Sequence, residues 1–192
     1  AQRVASVDST NSVLLRSAQA GDTAPQVLWA DVQSAGRGRM GRVWQGASVA
    51  EPERRSLSFS IGLPLTPADW AGLSLVVGLA VAEVLGNAVA LKWPNDICLR
   101  QGSAYAKLGG ILLETQALPQ GMDAGRWLVI GLGLNLQGQP AGDLRAPAAD
   151  LTQALPAAQA QALLVDVPAL CTRLVLAILQ AVLRFEQTGF AP

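Results

Sequence analysis

The chain has 192 residues, 51% hydrophobic and 15% charged, a globular composition long enough for one domain with a substantial core. Its 14 basic and 14 acidic residues cancel, so the broad positive field expected of a duplex-binding protein is missing. With no histidine and only Cys98 and Cys171 as cysteines, the chain excludes Ser-His-Asp and Cys-His nucleophile systems, histidine metal sites and CxxC pairs.

In chain order, Asp8-Ser9-Thr10-Asn11 before Val13-Leu14-Leu15 predicts a capped helix ending near Gly21. Val27 to Gln33 is β-rich and predicts a strand, and Ser34 to Gly46, polar and punctuated by glycine, predicts a loop. Ala50 to Arg55 is expected to be a solvated insertion. Leu57 to Ile61 alternates with a period of two and predicts a half-buried strand. Ala68 to Leu85 predicts a buried helix with Pro67 just ahead of its start. Val89 to Trp93 and Ile97 to Leu99 predict short strands around the break Pro94-Asn95-Asp96. Leu108 to Thr115 and Trp127 to Leu136 predict an antiparallel pair joined through the turn-rich Pro119 to Gly125. Ala157 to Gln187 is helical in pattern, with Pro168 dividing it in two. Strands and helices segregate more than they alternate, which predicts an α+β fold with a mostly antiparallel sheet and flanking helices.

The apolar runs Leu73 to Val84 and Leu174 to Leu183 are shorter than the roughly 20 residues a membrane span requires. No basic-then-apolar leader is seen at the start. A soluble cytoplasmic protein with two free, buried thiols is therefore expected.

Chemistry concentrates in Gly36-Arg37-Gly38-Arg39-Met40-Gly41. This satisfies GxGxxG after a predicted strand, but Arg42-Val43-Trp44-Gln45-Gly46 follows where a dinucleotide-binding fold needs a helix. No acidic residue lies between Asp31 and Glu51, so Arg37, Arg39 and Arg42 give the loop a local charge of +3. Glycines let backbone fold tightly around a ligand, and guanidinium forks grip phosphate or carboxylate oxygens. Of the 14 basic residues only Lys92 and Lys107 are lysine, and a lysine in so arginine-rich a chain points to positions that want an ammonium.

These segments together resemble the biotin protein ligase family, the biotin-[acetyl-CoA carboxylase] ligases. Gly36 to Trp44 resembles its GRGRxGRxW loop and Asp8-Ser9-Thr10-Asn11 its DSTN. Lys92-Trp93-Pro94-Asn95-Asp96 is similar to its KWPND, Lys107 to Leu112 to its K-L-x-G-I-L, and Gly131 to Asn135 to its GxGxN. The five motifs stand in the family's order over roughly residues 6 to 136, and Phe185 to Gly189 also resembles the family. The resemblance implies the catalytic fold shared with class II aminoacyl-tRNA synthetases. It also implies ATP-dependent activation of biotin as biotinyl-5'-AMP, then transfer to a lysine of a biotin carboxyl carrier protein. Such chemistry needs positioning and charge neutralisation, with no histidine or protein nucleophile.

Carried over position by position, the resemblance places Lys107 between the biotin carboxylate and the α-phosphate. Arg37 and Arg39 would close over the acyl phosphate, with Arg42 helping to hold either phosphate or the loop itself. Trp44 would either cover the adenylate or anchor the loop. Ser9, Thr10 and Gln33 would bind the ureido ring, with Ser9 or Thr10 doubling as a helix cap, and Gly109 and Gly110 would admit the biotin tail. Lys92, Asn95 and Asn135 would contact the nucleotide, with Gly131 and Gly133 giving Asn135 access. Asp96 would either bind Mg²⁺ through water or assist the incoming lysine, or simply close a turn after Pro94.

Met40 departs from the arginine some relatives carry, and Gly46 to Ser56 departs from the family's usual connection, reading as an inserted flexible stretch. The whole of 1–192 is expected to be one catalytic domain, without an N-terminal helix-turn-helix, a DNA role or a complete C-terminal β-barrel. No membrane partner is expected, and a sheet edge would allow a homodimer. The competing readings are a lipoate or other acyl ligase of related fold and a noncatalytic biotin-binding sensor.

Overall fold

Alternation of large apolar and small polar residues along the central strands determines which face of the sheet is filled and which stays open. The computed structural model describes residues 1–48, 50–101, 104–118, 125–138 and 147–190. Seven strands form one sheet: β1 (Gln2–Val7), β2 (Gln26–Gln33), β3 (Arg55–Leu65), β4 (Val89–Lys92), β5 (Asp96–Gln101), β6 (Ala104–Ala117) and β7 (Arg126–Gln137). Their order is β1-β2-β3-β7-β6-β5-β4, and only the β1/β2 pair is parallel. The helices are α1 (Thr10–Gln19), α2 (Leu73–Leu85), α3 (Leu151–Ala154), α4 (Ala157–Val165) and α5 (Val167–Thr188). The α+β architecture expected from the segregated pattern is the one observed.

On one face, Leu57, Phe59, Ile61, Leu63 and Leu65 of β3 and Leu128, Ile130, Leu132 and Leu134 of β7 meet α2 and α5 in the main core. The opposite face carries Ser58, Ser60, Gly131 and Gly133 in the alternate positions. There α1 packs Leu14 and Ala18 onto Leu28, Trp127 and Val129 in a smaller cluster. Period-two alternation thus fills one side with apolar bulk and leaves a polar, thin-walled floor on the other.

Several boundaries differ from expectation. The edge strand β1 was not predicted because four of its six residues are exposed and its half-buried residues, Val4 and Val7, stand three apart, giving no period of two. The second helix starts at Leu73 and not Ala68: the Asp69 carboxylate accepts the Ala71 N–H at 2.9 Å, and Gly72 at φ 85° turns the chain just before the helix. Pro168 lies in the first turn of α5 behind the Asp166 cap, where proline is tolerated, so the division falls at Asp166. The four-residue α3 had a readable signal, a capping box between Asp150 and Gln153.

The stretch expected to be a solvated insertion is exposed at Ala50, Pro52, Glu53 and Arg55, and it is also tied down. Arg55 opens β3 and donates to the Leu164 carbonyl at 3.0 Å, Arg54 bonds Glu51 and the Gly46 carbonyl, and the Ala47 N–H reaches Ser56 Oγ at 2.6 Å. Residues 119–124 of the predicted turn lie outside the described residues, and β6 and β7 on either side pair antiparallel as expected.

Helix α5 corrects the reading of apolar run lengths, since its 22 residues are by length and composition enough to cross a bilayer. It packs Leu170, Leu174, Ile178, Val182 and Phe185 inward, while Arg173 and Arg184 lie exposed on the other side. That is the two-sided pattern of a core-packing helix.

Candidate active site

The site begins at the N-terminus of α1. Ser9 caps the helix, its hydroxyl accepting the Ser12 N–H at 3.5 Å. The Asp8 carboxylate takes both Arg16 guanidinium nitrogens at 2.7 and 2.9 Å, and that pairing holds its pKa down at about 2. Behind the cap, the Thr10 N–H and hydroxyl both donate to Gln33 Oε1, at 2.8 and 3.2 Å. The Ser60 hydroxyl lies 2.7 Å from Thr10 Oγ1 and 2.6 Å from Asn11 Oδ1. Ser9, Thr10, Asn11 and Ser60 are all buried, so the polar floor is a satisfied network and not a set of solvated caps.

A register shift aims Lys107. Between Ile97 and Cys98 of β5 the partners on β6 jump from Gly109 to Lys107, so Leu108 is an extra residue. Such a bulge reverses the facing of every residue beyond it. Ala106 and Leu108 before it, and Ile111 after it, face the main core. Lys107 therefore shares the open face with Gly110, Leu112 and Glu114. Its backbone is held as well: its N–H donates to the Pro147 carbonyl at 2.6 Å, and its carbonyl accepts from Ala149 at 2.8 Å. The ammonium lies 2.6 Å from Asp96 Oδ1, with both side chains about a third exposed.

The arginine-glycine loop is a small hairpin. The Gly38 N–H bonds the Arg42 carbonyl at 2.7 Å, the Trp44 N–H bonds the Gly36 carbonyl at 2.9 Å, and the Arg42 N–H closes on the Arg39 carbonyl at 3.2 Å. The two residues between Arg39 and Arg42 are Met40 at φ 55° and Gly41 at φ 71°. Positive φ at both central positions is the hallmark of a primed two-residue hairpin turn. Met40 occupies a left-handed position that disfavours an L side chain, and points outward, 87% exposed. Arg37 donates to Ser12 Oγ at 2.9 Å and pairs with Glu114, and Arg39 reaches Asn95 Oδ1 at 3.4 Å. Trp44 anchors the loop: its indole N–H bonds Ser58 Oγ at 3.2 Å and its ring lies against Gly133.

A cavity of about 120 Å³ gathers Ser9, Thr10, Gln33, Arg37, Arg39, Arg42, Trp44, Asn95, Asp96, Lys107 and Gly110. Four cationic side chains and one carboxylate line it. A second, more open cavity of about 430 Å³ lies along the arginine-glycine loop, against Leu112 to Glu114.

Three expected residues stand elsewhere. Gly109 does not line the cavity; a side chain there would meet the Gly133 carbonyl at 2.5 Å, so sheet packing and not a ligand requires the glycine. Asn135 is buried away from the cavity and donates to the Ala149 carbonyl at 3.0 Å, bracing the segment that pins Lys107. Lys92 is exposed on a neighbouring cleft with Ser74, Trp93 and Pro94. Gly131 and Gly133 do not open a path to Asn135. They make room for Asn11, whose Oδ1 would lie 2.2 Å from an added Cβ, and for the Trp44 ring at 2.4 Å.

Sequence reading overlooked the roles of Asn11, Ser58, Ser60 and Glu114. Ser58 and Ser60 carried a signal: they are the polar positions of an otherwise apolar alternating strand. Both cysteines are buried free thiols, and burial pushes them up, Cys171 to about 11, so neither supplies a thiolate near neutral pH. Among the described residues no cluster of three or more His, Cys, Asp or Glu could hold a metal ion.

Residues 4–135 match the model of the Biotin/lipoate A/B protein ligase family. The biotin--[acetyl-CoA-carboxylase] ligase of Mycobacterium tuberculosis is 38% identical over 148 residues, covering 71% of this chain and 49% of that protein. The bifunctional ligase/repressor BirA of Escherichia coli is 35% identical over 193 residues, covering 97% and 54%. This chain thus spans about half the length of the curated relatives it matches. Among solved structures, the biotin protein ligase of Leishmania major in complex with biotin superposes with a TM-score of 0.67 at 24% identity, covering 92% of this chain and 71% of that one. The biotin acetyl coenzyme A carboxylase synthetase of Helicobacter pylori, with bound biotinylated ATP, gives 0.60 at 25% identity, covering 95% and 73%. With the family model matching well over half of its residues, the chain belongs to the Biotin/lipoate A/B protein ligase family.

Proposed function

We propose that this chain is the catalytic unit of an ATP-dependent biotin protein ligase. The observation that carries the proposal is the composition of the cavity. Uncharged hydrogen-bonding groups, Ser9, Thr10 and Gln33, share it with Lys107 and three arginines. A neutral polar head group with an acidic tail, met by a triphosphate, has the chemistry those two sets would bind.

In the first step the biotin carboxylate oxygen attacks the α-phosphorus of ATP; the new bond is an acyl phosphate and the bond to pyrophosphate breaks. Lys107 is held by backbone on both sides, and its ammonium offsets the repulsion between the two anions. Arg39 and Arg42, on the loop tip, close over the phosphates. In the second step a lysine amine of a biotin carboxyl carrier protein attacks the acyl carbon, AMP leaves, and Asp96 beside Lys107 accepts the amine proton. Mg²⁺ bound through one carboxylate and substrate phosphates fits the donors present: Asp96 keeps an oxygen beyond the one facing Lys107, and the metal would screen phosphate charge. Two buried free thiols suit a reducing compartment, and we place the reaction in the cytoplasm.

The test is biotin-dependent exchange of labelled pyrophosphate into ATP. Exchange above background is expected. Biotin binding without exchange would favour a sensor, and faster exchange with lipoate would overturn the substrate.

A further inference from the structure

We propose that Glu114 is a positioning residue that holds Arg37, the fixed arm of the arginine-glycine loop, in place before substrate arrives. The inference deepens the ligase reading and rests on it. Glu114 is not part of any of the five motifs, yet both carboxylate oxygens are committed. One accepts from Arg37, and the other accepts the Asn11 amide N–H at 2.9 Å. Asn11 cannot yield: it is 3% exposed, it also donates to the Leu112 carbonyl at 3.3 Å, and its own oxygen meets the fully buried Ser60 hydroxyl at 2.6 Å. Glu114 therefore projects from a rigid strand against a rigid amide, and the Arg37 guanidinium, bonded also to Ser12, is aimed by both.

The other loop arginines are not held this way. Of Arg37, Arg39 and Arg42, only Arg37 has an ion-pair partner among the described residues; Arg39 has a single long bond to Asn95. The loop thus has an arm anchored through the Arg37 side chain and a tip, Arg39 to Arg42, closed by its own backbone bonds, whose arginine side chains form no ion pair among the described residues. An exposed ion pair alone would be worth little. Tied into a buried network, the same pair sets geometry, which is what a loop closing over an acyl phosphate requires.

A double-mutant cycle of Glu114→Gln and Arg37→Ala tests this, read by pyrophosphate exchange and by trypsin cleavage after Arg39 and Arg42 without ligand. Glu114→Gln is expected to raise the biotin KM about tenfold with kcat changed less than about threefold, and to cost nothing further when Arg37 is already Ala. Cleavage of the tip is expected to speed up about fivefold in either single variant and no more in the double. Losses that simply add, or tip cleavage unchanged by Glu114→Gln, would overturn the role. Glu114→Asp keeps the charge but is too short to reach both partners, so it should behave like the Gln variant and carries the test if that variant fails to fold. Absence of exchange in the unmodified protein would refute the ligase reading, while the cleavage cycle would still decide on Glu114.

Discussion

Lys107 illustrates how far one residue type in one place can be argued. Scarcity in an arginine-rich chain marked both Lys92 and Lys107, the resemblance of Lys107 to Leu112 to a family motif chose between them, and the bulge at Leu108 explains how Lys107 shares the cavity face with Gly110, Leu112 and Glu114. Its side chain contacts Asp96, but its structural bonds are made by its backbone, so truncation should leave the fold intact. Lys107→Ala is expected to slow biotin-dependent pyrophosphate exchange about 10³-fold with an unchanged melting temperature. Lys107→Arg should still lose about 10²-fold, because a planar guanidinium does not replace a compact ammonium between two anions. Near-normal exchange in either variant would remove Lys107 from the chemistry. Glu114 is the opposite case: nothing local marks it, since its importance comes from partners 77 and 103 positions away.

At the scale of elements, the arginine-glycine loop and β7 are fitted to each other. The loop turns through Met40 and Gly41 at positive φ, returns on Trp44, and Trp44 rests where Gly133 has no side chain. A β-carbon on Gly133 would lie 2.4 Å from the indole, well inside contact distance, so the ring must leave its seat and give up Ser58. Gly133→Ala is therefore expected to cost roughly 1–3 kcal/mol in urea unfolding and to raise the KM for ATP, as the returning arm of the loop loses its anchor. Unchanged stability and KM together would show that Trp44 is not the anchor. Most elements were legible because apolar period and capping residues are local: α1, β2 and β7 fall within a residue or two of expectation. Of the misplaced ones, β1, α3 and the start of α2 lack a period or are set by short side-chain turns, while β3 and β6 each run four residues past one predicted end.

At the scale of the molecule, the sheet divides labour between its faces. Stability is concentrated where α2 and α5 cover β3 and β7, and the candidate site lies on the other side, beneath α1 and the loop. Leu174 is fully buried on the α5 side, so Leu174→Ala is expected to lower unfolding free energy by about 2–5 kcal/mol while leaving the biotin KM of the folded protein unchanged. A marked KM change with little loss of stability would mean that the faces are coupled. The net charge of zero conceals a cavity lined by four cations and one carboxylate, an asymmetry that composition averages away.

The sequence by itself determined the fold class, the mostly antiparallel sheet, the exclusion of histidine chemistry, and the loop, lysine and helix-cap motifs whose family resemblance implied one site. Each of these depends on residue type and short spacing, which a linear string preserves. Only the tertiary structure decided that Gly109 and Asn135 serve packing, that Gly131 and Gly133 make space for Asn11 and Trp44, and that Glu114 holds Arg37. Those roles depend on which atoms meet across strands far apart in the chain, and a single bulge that reverses the facing of a strand is enough to change them.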